Sequence, residues 1–355
     1  MNNENLYGFE EKTEDLNGEN TASIVQSEPC FLDTLDFNKT NEEKKEVKRA
    51  ALAIGLAFLF LMLISKLSNE IAAFLFLGAG KNTEQAYRLL NDPAVSQIRQ
   101  ILFSVIVFSI PFIVVFKLFR YRISDLVSFK MPEKGIKLPL FLMGVGFCAF
   151  SNILSNLSSY LFDDIGVEYS VNFGEEPQGI YGFILTVLAT AAVPALMEEF
   201  ACRGIMLGAL KKYGEGFALV TSAVMFGIMH GNFEQMPFAF LVGLVLGFVA
   251  IKSDSLLIVM AIHAFNNFIP IVYTHILNGT SAVFQNASYC IFLIACMLLG
   301  LFGVILFTKR GYGIACDNGN LKASFKQKEI WFFTSVPILV YVIITIAGSF
   351  RFFVN

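Results

Sequence analysis

Long apolar runs without a formal charge constrain this chain more than any other feature. Leu138–Phe162 and Ile330–Phe350 contain no Asp, Glu, Lys or Arg. A helix needs about 20 mostly apolar residues to cross a ~30 Å hydrocarbon core. Nine stretches approach that length: 50–75, 100–119, 138–162, 178–210, 216–233, 236–252, 255–275, 283–307 and 330–350. Only 15% of the 355 residues are charged, against about 25% in soluble domains. The expected fold class is therefore all-α, a polytopic transmembrane helical bundle of about nine spans. Nucleic-acid binders, secreted disulfide scaffolds and disordered chains are excluded.

Lys and Arg collect in cytoplasmic loops. With nine spans and the N-terminus inside, the inner segments from Lys44 onward hold 18 of these residues and the outer segments hold 4, namely Lys81, Arg88, Arg99 and Arg351. The C-terminus is then outside. Residues 1–49 hold 12 of the 29 acids and 6 of the 26 bases, so they read as a polar, disordered cytoplasmic tail rather than a signal peptide. No lipidation sequence is expected at either end. The six cysteines show no C-x-x-C pairing and read as small apolar residues. Four segments follow: the tail 1–49; two spans and a cytoplasmic loop, 50–137; a core, 138–275; and two further spans with a cytoplasmic loop, 276–355. The loop 163–177 carries five acids and no base, which suits a solvated outer loop.

An ionisable group inside a span costs several kcal/mol and marks function by default. Glu198, Glu199, Arg203, His230 and His263 are such groups. Counted at ~1.5 Å per residue from the cytoplasmic loops, Glu198, His230 and Asn267 each lie about 20 Å deep, with Arg203 and His263 about 12–14 Å deep. Three helices thus aim polar groups into one depth band. Glu199 and Arg203 are one turn apart and can pair, as Phe226 and His230, and His263 and Asn267, also share a face. Pro194, four residues before Glu198, can kink its helix toward an interior cavity. A buried carboxylate is a competent general base, a histidine can orient water, and a histidine with an amide can stabilise an oxyanion. The same donor types suit zinc, although H-E-x-x-H is absent. A proton or ion relay in a transporter is the competing chemistry, but no internal repeat supports it.

Glu198-Glu199-Phe-Ala-Cys-Arg203 resembles E-E-x-x-x-R, Phe226-Gly-Ile-Met-His230 resembles F-x-x-x-H, and His263-Ala-Phe-Asn-Asn267 resembles H-x-x-x-N. In this order, on successive apolar segments, they resemble the CAAX prenyl protease and bacteriocin-processing family of intramembrane proteases. The resemblance covers residues 138–275. It implies an endopeptidase with Glu198 as base, His230 as its partner on water, His263 and Asn267 on the oxyanion side, and Glu199–Arg203 as a supporting ion pair. Both metalloprotease and metal-free, glutamate-dependent readings follow, with Glu199, His230 and His263 the ligands if zinc is bound. The implied substrate is a peptide or protein in or at the membrane, prenylated in the type activity of the family, and the implied location is the plasma membrane. Some family members are immunity or scaffolding proteins, so a non-catalytic binder is the alternative.

Overall fold

The computed structural model describes residues 31–164, 168–169, 177–277, 279–317, 322–350 and 353–354. Most of the tail and most of the acidic loop 163–177 lie outside the described residues. Among the described residues thirteen helices follow in order. The first six are α1 (Phe31–Lys66), α2 (Ser68–Gly78), α3 (Thr83–Leu90), α4 (Pro93–Leu118), α5 (Ile123–Leu126) and α6 (Lys134–Asp164). After them come α7 (Gly179–Lys211), α8 (Glu215–Met229), α9 (Gln235–Ser253) and α10 (Leu256–Ile276). The last are α11 (Ala282–Lys309), α12 (Phe325–Phe333) and α13 (Val336–Ser349). Beyond the helices, the described residues include one two-residue antiparallel pairing, Glu168–Tyr169 with Phe353–Val354.

The all-α expectation holds, and a helix occupies each of the nine apolar stretches. Among the described residues seven helices are long and apolar enough to cross a membrane: α1, from Lys39, α4, α6, α7, α9, α10 and α11. The last apolar stretch is instead a broken one, with α12 and α13 bent by 73° between them. Ser335 and Pro337 open the new helix at that break. The fifth stretch yields only the 15-residue α8, about 22 Å long at 1.5 Å per residue, short of a full crossing. Hydropathy over 216–233 cannot separate a span from a buried helix, because both are apolar all round. α8 stops at the site, at His230, and Gly231 turns the chain with φ 67°. Asn232 then holds the turn, accepting the Gln235 N–H at 2.8 Å and donating to the His230 carbonyl at 3.3 Å. Irregular backbone at membrane depth is tolerated only where it is enclosed in protein, and Asn232 is buried.

Residues 39–49 are helical and packed rather than a free tail. Glu46 meets Lys212 at 2.9 Å, and Glu43 meets the buried Lys328 at 3.1 Å. Lys328 also donates to the Tyr213 carbonyl at 2.9 Å. The partners lie far off in the sequence, so the polar segment alone carries no sign of them.

Two apolar clusters flank the interior. One joins α1, α4, α7, α8 and the α12–α13 pair around Phe58, Phe112, Phe116, Phe226 and Phe332. The other joins α6, α9, α10 and α11 around Leu140, Leu246, Val259 and Phe307. Close helix approach relies on small residues, as in membrane bundles generally. A methyl group on Gly146 of α6 would lie 2.5 Å from the Gly300 Cα of α11, and one on Gly243 of α9 would lie 3.0 Å from the Ala223 Cα of α8.

Candidate active site

The site lies between the two clusters and draws on α7, α8, α9 and α10. Within α7 a short α-helical segment, Val193–Glu199, is set between π-helical turns at Val187–Ala192 and Phe200–Met206, with α-helix again at Gly179–Thr186 and Leu207–Lys211. Pro194 has no N–H to give and its ring crowds the preceding turn; the wider π turn before it relieves both. π turns recur at functional sites because the extra residue re-aims the side chains that follow. Here they bracket the two glutamates.

Glu199 is fully buried and Arg203 nearly so. Arg203 Nη1 donates to Glu199 Oε1 at 2.8 Å and Nη2 to the Gly243 carbonyl at 3.3 Å. The guanidinium also stacks on Phe226, 3.9 Å from its ring centroid, a cation–π contact in a desolvated setting. The close approach of α8 and α9 at Gly243 brings that carbonyl into reach. Glu199 Oε2 and Arg203 Nε have no hydrogen-bond partner.

His263 of α10 reaches the same carboxylate, its Nδ1 donating to Glu199 Oε1 at 2.7 Å. Its Nε2 lies 3.9 Å from Glu198 Oε2. Glu198 is the more open of the two glutamates, its side chain 15% exposed. His230 caps α8, and its Nδ1 donates to the Phe226 carbonyl at 2.8 Å. A carbonyl only accepts, so a neutral His230 presents an unprotonated Nε2. Phe226 stands edge-on between the histidines, its centroid 5.0 Å from that of His230 and 5.9 Å from that of His263.

Five of the six residues singled out in the sequence thus converge around Phe226. The sixth, Asn267, lies one turn along α10 from His263. Its Oδ1 accepts from Asn266 at 3.3 Å rather than bonding to His263. His263 contacts both glutamates, which the spacing alone did not indicate. The sequence also gave no reason to select the Gly243 carbonyl, or the amides of Asn152 and Asn266, which bond each other at 2.9 Å across α6 and α10. Asn152 is polar within a charge-free run, and that was the available signal.

Among the described residues, no group of three His, Cys, Asp or Glu side chains is arranged to hold a metal ion. Glu199 Oε1 and His263 Nδ1 are committed to each other, and the same oxygen to Arg203. A tetrahedral zinc site needs at least three converging donors, and among the described residues Glu199, His230 and His263 are not assembled as such a group.

Residues 180–269, the stretch of α7 to α10 that carries all six residues, match the family model for the Type II CAAX prenyl endopeptidases, Rce1-like. The helices indicate an integral membrane protein, and this match supports a membrane protease in general. The match agrees with the resemblance of the three motifs to the CAAX prenyl protease and bacteriocin-processing family. No curated protein and no solved structure matches the chain.

Proposed function

We propose that this protein is an intramembrane endopeptidase that hydrolyses a membrane-associated peptide or protein by metal-independent, glutamate-based activation of water. One observation carries the reading. Two carboxylates, two imidazoles and a guanidinium from three helices meet in an apolar interior, where each isolated charge would be costly. Glu198 is the base, because Glu199 is committed to Arg203 and His263 while Glu198 keeps an exposed edge. His230, its Nδ1–H fixed on the Phe226 carbonyl, offers Nε2 as the second acceptor for the water. Glu198 takes a proton as the water oxygen bonds to the scissile carbonyl carbon, and the same proton then goes to the departing amine. Asn267 holds the oxyanion between these steps, joined by His263 when both of its ring nitrogens carry protons. Glu199 and Arg203 fix the His263 ring. The substrate class is a prenylated, C-terminal CAAX-type peptide, as the name of the matched family states for its type members, presented at the plasma membrane.

The test uses purified protein in liposomes with a quenched fluorescent peptide, offered with and without a farnesyl thioether. Wild type cleaves the farnesylated peptide, and Glu198→Ala lowers the rate by about 10²–10⁴-fold, the usual span for a positioned acid–base group. Cleavage by Glu198→Ala within a few-fold of wild type defeats the assignment, and no cleavage of either peptide by wild type defeats the substrate class.

A further inference from the structure

The three amides beside the site form a directed chain. Asn152, on α6, donates its side-chain N–H groups to the Cys148 carbonyl of its own helix and to Asn266 Oδ1 on α10, both at 2.9 Å. Asn266 Oδ1 is thereby fixed as an acceptor, so its NH₂ end points the other way. That end donates to Asn267 Oδ1 at 3.3 Å. An amide whose oxygen is held in this way has its two N–H groups at the opposite end. All three residues are half-buried, where hydrogen bonds polarise one another and an unpaired group is costly.

We infer that Asn152 and Asn266 are positioning residues that set the orientation of the Asn267 amide, turning its NH₂ rather than its oxygen toward the reacting carbonyl. This rests on the reading of Asn267 as an oxyanion donor. An unheld asparagine can present either end with equal sterics, and the wrong end places an acceptor against a developing negative charge. The direction starts at Asn152, because the Cys148 carbonyl accepts and never donates. Asn152 therefore cannot reverse without losing that bond. The relay also ties α6 to α10 at the depth of the site.

The relay predicts an asymmetry that packing alone does not. Asn152→Asp is nearly isosteric but can only accept. Asn266 must then turn its NH₂ toward Asp, present its oxygen to Asn267, and draw the Asn267 N–H groups away from the substrate. Asn152→Ala removes the anchor without imposing the reverse direction. In the liposome assay Asn267→Ala lowers kcat about 10²-fold, at the low end for loss of an oxyanion donor. Asn152→Asp lowers kcat by a similar factor with KM within about twofold, and Asn152→Ala lowers it only a few-fold. On an Asn267→Ala background, Asn152→Asp adds no further loss. Thermal midpoints and membrane abundance, measured alongside, separate this pattern from destabilisation. Equal activity of Asn152→Asp and Asn152→Ala overturns the relay and leaves the oxyanion assignment standing, as does an undiminished Asn152→Asp effect on the Asn267→Ala background. Wild-type kcat in Asn267→Ala overturns the oxyanion assignment itself, and the relay with it.

Discussion

Arg203 is the residue on which the interior arrangement depends most, and its replacement gives the sharpest test. Its side chain and that of Glu199 have no solvent exposure, and they meet at 2.8 Å. Truncation to Ala leaves the Glu199 carboxylate buried, with only His263 to answer it, and removes the bond to Gly243 and the stack on Phe226. Breaking a buried pair from one side costs about 3–5 kcal/mol, roughly two to four powers of ten in the folding equilibrium at ~1.4 kcal/mol per tenfold. Against a total stability of about 5–15 kcal/mol, that is enough to deplete the protein from membranes. Arg203→Lys keeps the charge, but a single ammonium cannot serve Glu199 and the Gly243 carbonyl with the same planar fork. It accumulates normally and cleaves poorly. Replacing both partners, Glu199→Met with Arg203→Met, removes the stranded charge and recovers most of the lost stability without recovering activity. The measurements are membrane abundance, thermal unfolding in detergent and peptide cleavage for the four proteins in parallel. An Arg203→Ala protein that unfolds at the wild-type temperature would show that the pair is not sealed from solvent, and the argument from burial would fail with it.

His230→Ala lowers kcat by at least about 10²-fold while leaving the thermal midpoint within a few degrees of wild type, because the ring bonds only to its own helix. Gly243→Leu forces α8 and α9 apart where a Cβ already has only 3.0 Å to Ala223; overpacking of this kind costs about 1–3 kcal/mol, and circular dichroism melts read it together with activity. Incubation with 1,10-phenanthroline leaves cleavage unchanged, and loss of activity restored by added zinc would contradict the metal-free reading. A reporter fused after Lys212 is cytoplasmic and one fused after Asn355 is external; a reversed result at either position means that the spans are miscounted.

The site was legible because membranes penalise charge: five ionisable residues stand out against apolar helices, and i,i+4 spacing assigns each to a face. The Glu199–Arg203 pair follows from that spacing alone. The partners of His263 do not, since a contact across 64 residues depends on how α7 and α10 pack. The π turns around Val193–Glu199 were signalled only by Pro194, whose effect reads as a kink until the backbone is seen. The length of α8 was hidden because Gly231 and Asn232 end it inside an otherwise apolar run. Glu43 and Glu46 looked like solvated acids because Lys212 and Lys328 lie so far along the chain.

That last contact bears on the order in which the protein assembles. α1 leaves the ribosome first, yet the Lys328 that neutralises Glu43 arrives with α12, almost three hundred residues later. Until then Glu43 stays hydrated at the cytoplasmic surface, and the first helix has no complete seat. The closing step of biogenesis is therefore the docking of the α12–α13 pair against the first span. A nascent chain halted before α12 exposes the apolar face of α1 around Ile54 and Phe58, the kind of surface that quality-control proteases recognise.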